Sequence, residues 1–123
     1  MTIAQNAIDE ILNTYRRANE DCEKLVHELS CNDLETSDIL HYIEFEEFTL
    51  EVGYSAAQKL KNLRLARRKI KDELEPLQVL ITMLDSQKLN KIQKRIDTQV
   101  NKQQDRCYTP RVIMGGLAEA VNT

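Results

Sequence analysis

A block of carboxylates gives this sequence its clearest candidate binding chemistry. Seven acidic side chains lie within nineteen residues, namely Asp33, Glu35, Asp38, Glu44, Glu46, Glu47 and Glu51. Carboxylates held on a rigid helix can imitate the spacing of phosphates and occupy the cationic groove of a nucleic-acid-binding protein. The alternative is that they form a solvated helix face and loop. The block therefore predicts a partner-binding surface, with plain solvation as the competing interpretation.

A block of cations follows on the next predicted helix. Seven cations lie within thirteen residues, namely Lys59, Lys61, Arg64, Arg67, Arg68, Lys69 and Lys71. Arg64, Arg68 and Lys71 share a helix face that could follow phosphates along a nucleic acid backbone. Three cations on the last helix could extend the stripe, namely Lys88, Lys91 and Arg95. No aromatic residues interleave for base stacking. We therefore favour the alternative that the cations pair with acids of the same chain or remain solvated.

The sequence contains no catalytic constellation. It has no glycine-rich phosphate loop, no G-x-S-x-G and no H-E-x-x-H. Glu46 and Glu47 diverge on a helix, and no apolar pocket is implied that would raise a carboxyl pKa. We expect no enzyme activity and no cofactor.

A metal site has little support in the pattern. His27 and Cys31 have the i, i+4 spacing of helical metal ligands, and His41 and Cys107 could complete a set of four in space. No paired-cysteine or zinc-finger spacing accompanies them. We therefore expect no metal.

The net charge conceals a division along the chain. Lys and Arg number 17 and Asp and Glu number 20, which gives −3. Residues 1–53 hold thirteen acids and three bases, a charge of −10, whereas residues 54–123 hold fourteen bases and seven acids, a charge of +7. Such asymmetry indicates either charged partners or two segments that neutralise each other.

The elements that carry these charges are expected to be helical. Three glycines and two prolines in 123 residues leave too few turn signals for a β-sandwich or barrel. Apolar residues recur at spacings of three and four in three segments, over residues 8–29, 56–84 and 89–100. Arg67 is the one charged residue in the second row, and we expect Glu44 or Glu47 to pair with it.

The predicted fold is all-α, an antiparallel helical bundle or coiled-coil hairpin of three long helices plus one short helix. Residues 30–37 are expected to form a loop because they are polar and lack periodicity, and the short helix follows from Ile39. One helical domain over 1–107 is predicted, followed by an extended tail over 108–123 with a terminal helical turn. Long helices with a thin core often dimerise, so a homodimer is a further expectation.

The cellular setting is expected to be the cytoplasm. Three cysteines, an odd number without a C-x-x-C pair, argue against a disulfide framework and favour a reducing compartment. The first residues do not resemble a signal peptide, and no apolar stretch is long enough to span a bilayer. We expect no membrane association.

Three stretches resemble small helical proteins of bacteriophages and prophages of Gram-positive bacteria. They are Ile39-Leu40-His41-Tyr42-Ile43-Glu44-Phe45, the run Leu60–Leu77 with Arg64, Arg67, Arg68, Ile70, Lys71, Asp72 and Glu73, and Tyr108-Thr109-Pro110-Arg111-Val112. The resemblance covers about residues 39–113 and leaves the first helix unaccounted for. It implies host-takeover or anti-defence factors, anti-CRISPR proteins among them, which act by stoichiometric binding in the bacterial host. No catalytic residues are carried over.

Three function classes remain. The first is a non-enzymatic inhibitor or host-takeover factor whose acidic helical surface binds a nucleic-acid-processing host protein. The second is a DNA- or RNA-binding accessory protein that uses the basic helix over residues 59–71. The third is a structural coiled-coil assembly protein.

Overall fold

The computed structural model describes residues 1–108 and 111–112. They form three α-helices, α1 over Ile3–Phe45, α2 over Leu50–Met83 and α3 over Ser86–Gln104, and these described residues contain no strand. The predicted all-α class is confirmed. Of the predicted tail over 108–123, only Tyr108, Arg111 and Val112 belong to the described residues.

α1 is one continuous helix of 43 residues, about 65 Å long. The predicted loop over 30–37 and the separate short helix are therefore wrong, and the count is three helices instead of four. The segment contains no glycine or proline to end the helix. Asn32 and Thr36 instead continue the inward row between Leu29 and Ile39, and the Thr36 hydroxyl donates to the Asn32 carbonyl at 3.0 Å.

The start of α1, its end and the start of α2 each have a local cause. Thr2 and Gln5 form a capping box that starts α1. α1 ends where Glu46 turns to an extended conformation. Thr49 caps α2 by accepting a hydrogen bond from the Val52 amide at 3.2 Å. The connection over residues 46–49 is short, as antiparallel neighbouring helices require.

α2 presents the apolar row that the sequence predicts. Less exposed positions recur at spacings of three and four along α2 and its C-cap, at Gly53, Ala56, Leu60, Leu63, Arg67, Ile70, Leu74, Leu77, Ile81 and Leu84, and Lys71 is a further half-buried position. The helix continues through Pro76, which has no backbone N–H to donate to the preceding turn. Leu84 ends it, and Asp85 caps α3 by accepting from the Gln87 amide at 3.0 Å.

α2 and α3 lie one after the other along α1. The Asn32 amide of α1 donates to the Leu63 carbonyl of α2 at 3.0 Å. Nearer its start, α1 meets α3 through Gln5, which donates to Asp97 at 3.1 Å, and through Asp9, which accepts from Gln93 at 3.4 Å. Within the described residues α2 and α3 each pack on α1 and not on each other. The architecture is an antiparallel hairpin whose returning arm is broken at residues 84–85.

The core of this hairpin is thin. The buried apolar side chains among the described residues are Ile8, Ala18, Leu74 and Leu89, and none is wholly removed from solvent. Asn32 is the one buried polar residue among them. Among the described helices, none is both long and apolar enough to cross a bilayer.

Candidate partner-binding site

The hairpin turn gathers four of the seven predicted acidic residues. Glu44 is in the last turn of α1, Glu46 and Glu47 form part of the connection, and Glu51 is in the first turn of α2. The other three, Asp33, Glu35 and Asp38, lie further back along α1. Asp33 is about 16 Å along the helix axis from Glu44. We define the hairpin tip as residues 42–54. All seven acids are exposed, so the acidic surface extends from residue 33 of α1 to the hairpin tip.

The hairpin tip also exposes a group of apolar side chains that the sequence analysis missed. The exposed set comprises Tyr42, Phe45, Phe48, Leu50, Val52 and Tyr54. Phe45 is 74% exposed and Leu50 is 94% exposed. Contiguous exposed apolar surface marks interaction sites, and aromatic side chains dominate binding energy at interfaces. The local composition could have located this group, because four of the six aromatic residues of the chain lie between residues 42 and 54.

A groove of about 330 Å³ opens between α1 and α2 beside the tip. Its lining residues are Asp38, Ile39, Tyr42, Val52, Ser55, Ala56 and Lys59. Asp38 and Lys59 place opposite charges at this groove, whereas Ile39, Val52 and Ala56 provide apolar walls. The groove can therefore accept an apolar side chain from a partner, with a polar group at its rim.

One ion pair connects the acidic and basic arms within the described part of the chain. Arg67 Nε lies 2.9 Å from Asp33 Oδ1. The predicted partners Glu44 and Glu47 are wrong, because the hairpin register sets Arg67 beside residues 32–33 while both glutamates are carried to the tip. The expected pairing of the two charged blocks is thus limited to this contact, and the tip carboxylates are not in ion pairs with described cations.

The predicted nucleic-acid-binding cations fall into two groups. Arg64, Arg68 and Lys71 line one groove of about 420 Å³ on α2, which Asp72 and Glu75 also line.

The second group, Lys88, Lys91 and Arg95, lies on α3, which does not pack on α2 within the described residues. Arg95 lines a separate groove with Ile92, Ile96 and Ala4. The structure therefore gives two short cationic surfaces on different helices.

The His27–Cys31 pair is formed as the helical spacing requires. The Cys31 sulfur lies 3.6 Å from His27 Nε2, and both side chains are exposed. The structure does not bring His41 or Cys107 to this pair, since no three potential metal ligands come together among residues 1–108 and 111–112. The pair remains two neighbouring side chains on one helix face.

The arrangement is suited to binding through charge and apolar contact. The hairpin tip combines exposed carboxylates with exposed aromatic rings at the end of α1 and the start of α2. The packed helices α1 and α2 fix the positions of both kinds of side chain. Comparisons with protein-family models, curated proteins and solved structures find no match for this chain.

Proposed function

We propose that this chain is a non-enzymatic protein-binding factor of phage type that inhibits or redirects a nucleic-acid-processing protein of a bacterial host. The proposed binding surface is the acidic one, Asp33, Glu35, Asp38, Glu44, Glu46, Glu47 and Glu51. The observation that carries the proposal is the hairpin tip, where carboxylates without ion pairs to described cations stand beside exposed aromatic side chains. The action is stoichiometric binding in the host cytoplasm, without a cofactor.

The two kinds of tip residue have separate physical roles in this proposal. Carboxylates attract a basic groove over a distance of several ångströms and accelerate encounter. Apolar and aromatic side chains then leave water in the complex, which supplies most of the binding free energy. An acidic surface alone would bind many basic proteins weakly, whereas the combination favours a basic groove with apolar pockets.

The phage setting is supported by the resemblance of residues 39–113 to small helical phage proteins. That range includes the last turns of α1 and all of α2 and α3, and hence the tip itself. An anti-CRISPR-like or other anti-defence role would match an acidic surface that occupies a site made for nucleic acid.

A charge-reversal capture experiment tests the proposal. The wild-type chain and the variant E44K/E46K/E47K are immobilised, and proteins retained from a Gram-positive bacterial lysate are quantified by mass spectrometry. The matched control is E20K/D21K/E23K, which reverses three exposed acids elsewhere on α1. Circular dichroism verifies that the variants keep their helical content.

The expected result is a nucleic-acid-processing protein that the wild type and the control retain and the tip variant loses by at least about tenfold. Equal retention by the wild type and the tip variant would overturn the acidic-surface proposal. Retention of no protein by the wild type would also count against it.

A second candidate function is nucleic-acid binding by α2. It is favoured by one observation, that Arg64, Arg68 and Lys71 line a single exposed groove. Binding to generic duplex and single strands is then expected to weaken steeply with salt. Failure of the wild type to bind either strand type at low salt would exclude this candidate.

A further inference from the structure

A single copy of this chain exposes far more surface than a compact protein of its size. Its accessible surface is 10506 Å², whereas a compact monomer of 14.3 kDa exposes about 6800 Å². A stable dimer interface buries about 1200–2000 Å² in total. The excess is thus large enough to supply a dimer interface.

The half of the hairpin that contains the tip carries about half of the exposed large apolar side chains, while others, such as Ile3, Val79 and Met83, lie outside it. Besides the tip residues, Leu34, Leu40 and Leu65 are exposed there. Leu34 and Leu65 are 64% and 53% exposed, respectively, on the two facing helices near the Asp33–Arg67 pair. This half therefore offers apolar contact on both arms.

The same half has complementary charge at two separate levels. The acidic level is the tip, with Glu44, Glu46, Glu47 and Glu51. The basic level is the basic stretch, defined as residues 59–71 of α2, which contains seven cations. The facing part of α1 carries three acids, Asp33, Glu35 and Asp38, so the cations outnumber the acids at this level. Along α2, Glu51 and Arg68 are about 25 Å apart. Of the seven cations, Arg67 is the one in an ion pair with a described acid.

We propose that the partner of this half is a second copy of the chain, arranged antiparallel so that the tip of each copy lies on the basic stretch of the other. A two-fold axis between the two levels makes both contacts equivalent, and the arrangement closes at two copies. The contact uses the tip carboxylates, the cations of the basic stretch and the apolar side chains between them. It gives partners to the tip carboxylates and to the cations of the basic stretch other than Arg67, none of which is in an ion pair within the described residues.

This inference goes beyond the proposed function and does not depend on it. If both hold, a host protein and the second copy compete for the tip. The basic stretch would then resemble the surface that the host protein presents.

A charge-swap experiment by sedimentation velocity tests the dimer. The tip variant E44K/E46K/E47K has a tip and a basic stretch that are both cationic, whereas K61E/R64E/R68E/K69E/K71E, which reverses five of the seven cations, has both anionic. The proposal predicts that the wild type is dimeric, that each variant alone is monomeric, and that an equimolar mixture forms a heterodimer. The wild-type dissociation constant should rise at least about tenfold between about 50 mM and about 500 mM NaCl.

The matched control is K88E/K91E/K94E/R95E/K102E, which reverses five exposed cations on α3 and should leave the dimer intact. A monomeric wild type at all concentrations would overturn the inference, as would a mixture of the two variants that stays monomeric. A series of oligomers larger than a dimer would also overturn the closed dimer, because it would indicate an open assembly. Helical content by circular dichroism separates loss of dimer from loss of fold, and a dimer with no retained host protein separates this inference from the proposed function.

Discussion

The side-chain amide of Asn32 on α1 donates a 3.0 Å hydrogen bond to the main-chain carbonyl of Leu63 on α2. Asn32 is buried between the two arms, and its side-chain oxygen accepts no hydrogen bond from the described residues. A buried asparagine on a helical seam lowers stability and fixes the alignment of the helices. This contact therefore selects the register of the hairpin.

Replacing Asn32 with leucine should stabilise the hairpin and loosen its register. Asn32→Leu removes the unsatisfied oxygen and adds apolar burial, and the Leu63 carbonyl keeps its backbone partner within α2. We expect the free energy of unfolding to rise by about 1 kcal/mol, or about 4 °C in Tm. Asn32→Ala should instead lower it by about 1–2 kcal/mol. A lower Tm for the leucine variant, measured by thermal circular dichroism, would contradict the assignment.

The Asp33–Arg67 ion pair should contribute little to the free energy of unfolding. Asp33 is half-exposed and Arg67 is about one-third exposed, so water and salt screen the pair. A double-mutant cycle with Asp33→Asn and Arg67→Gln should give a coupling of about 0–1 kcal/mol that decreases with added salt. The same cycle with Glu44→Gln in place of Asp33→Asn should give no coupling. Coupling between Glu44 and Arg67 would show that the register is incorrect.

Substitution of Gly53 should test how Phe48 packs on the start of α2. A Cβ at position 53 would lie 3.1 Å from Cε2 of the Phe48 ring, so the ring must shift to make room. Alanine is about 1 kcal/mol more favourable than glycine in a helix. Gly53→Ala should therefore stabilise the chain by about 0.5–1 kcal/mol in a Phe48→Ala background and by less in the wild type. Equal effects in the two backgrounds, measured by urea unfolding, would mean that the ring contact has no energetic weight.

Pro76 should destabilise α2 more than any other single residue of that helix. It lies inside the helix on an exposed position, where it lacks an N–H and its ring crowds the preceding turn. Pro76→Ala should raise the free energy of unfolding by up to about 3 kcal/mol. Glu75→Ala, an exposed neighbour, should change it by less than about 0.5 kcal/mol. If both substitutions had the same small effect in urea unfolding, α2 would already absorb the proline at no cost.

Apolar periodicity predicted the inward row of α2 and, except for the exposed Ile92, that of α3, because spacing alone determines which helix face turns inward. It could not predict that α1 continues past Ser30. Polar residues at positions 32 and 36 are typical of loops in a sequence, yet here Asn32 bonds across to the other arm and Thr36 bonds within its own helix. That distinction depends on which partner atoms lie nearby, which only the tertiary structure provides.

The acidic residues of the site could be located from the sequence, but their neighbours could not. The exposure of Phe45 and Leu50 depends on where α1 ends and α2 begins, and apolar spacing does not define that boundary. Arg67 was correctly expected to need a counter-charge, but its partner follows from the register of the arms. A register that differed by three helical turns would have brought Glu44 close to it.

Because the returning arm is broken at residues 84–85, we expect the hairpin to unfold in two separate segments. α3 is held by α1 alone, through Leu89 and a few polar contacts such as Gln5 to Asp97, and it receives no support from α2 within the described residues. Local opening requires only that these contacts break, since α1 and α2 keep their own seam. The backbone amides of α3 should therefore exchange with solvent before those of α2, which makes the paired α1–α2 segment the last part of the chain to lose its structure.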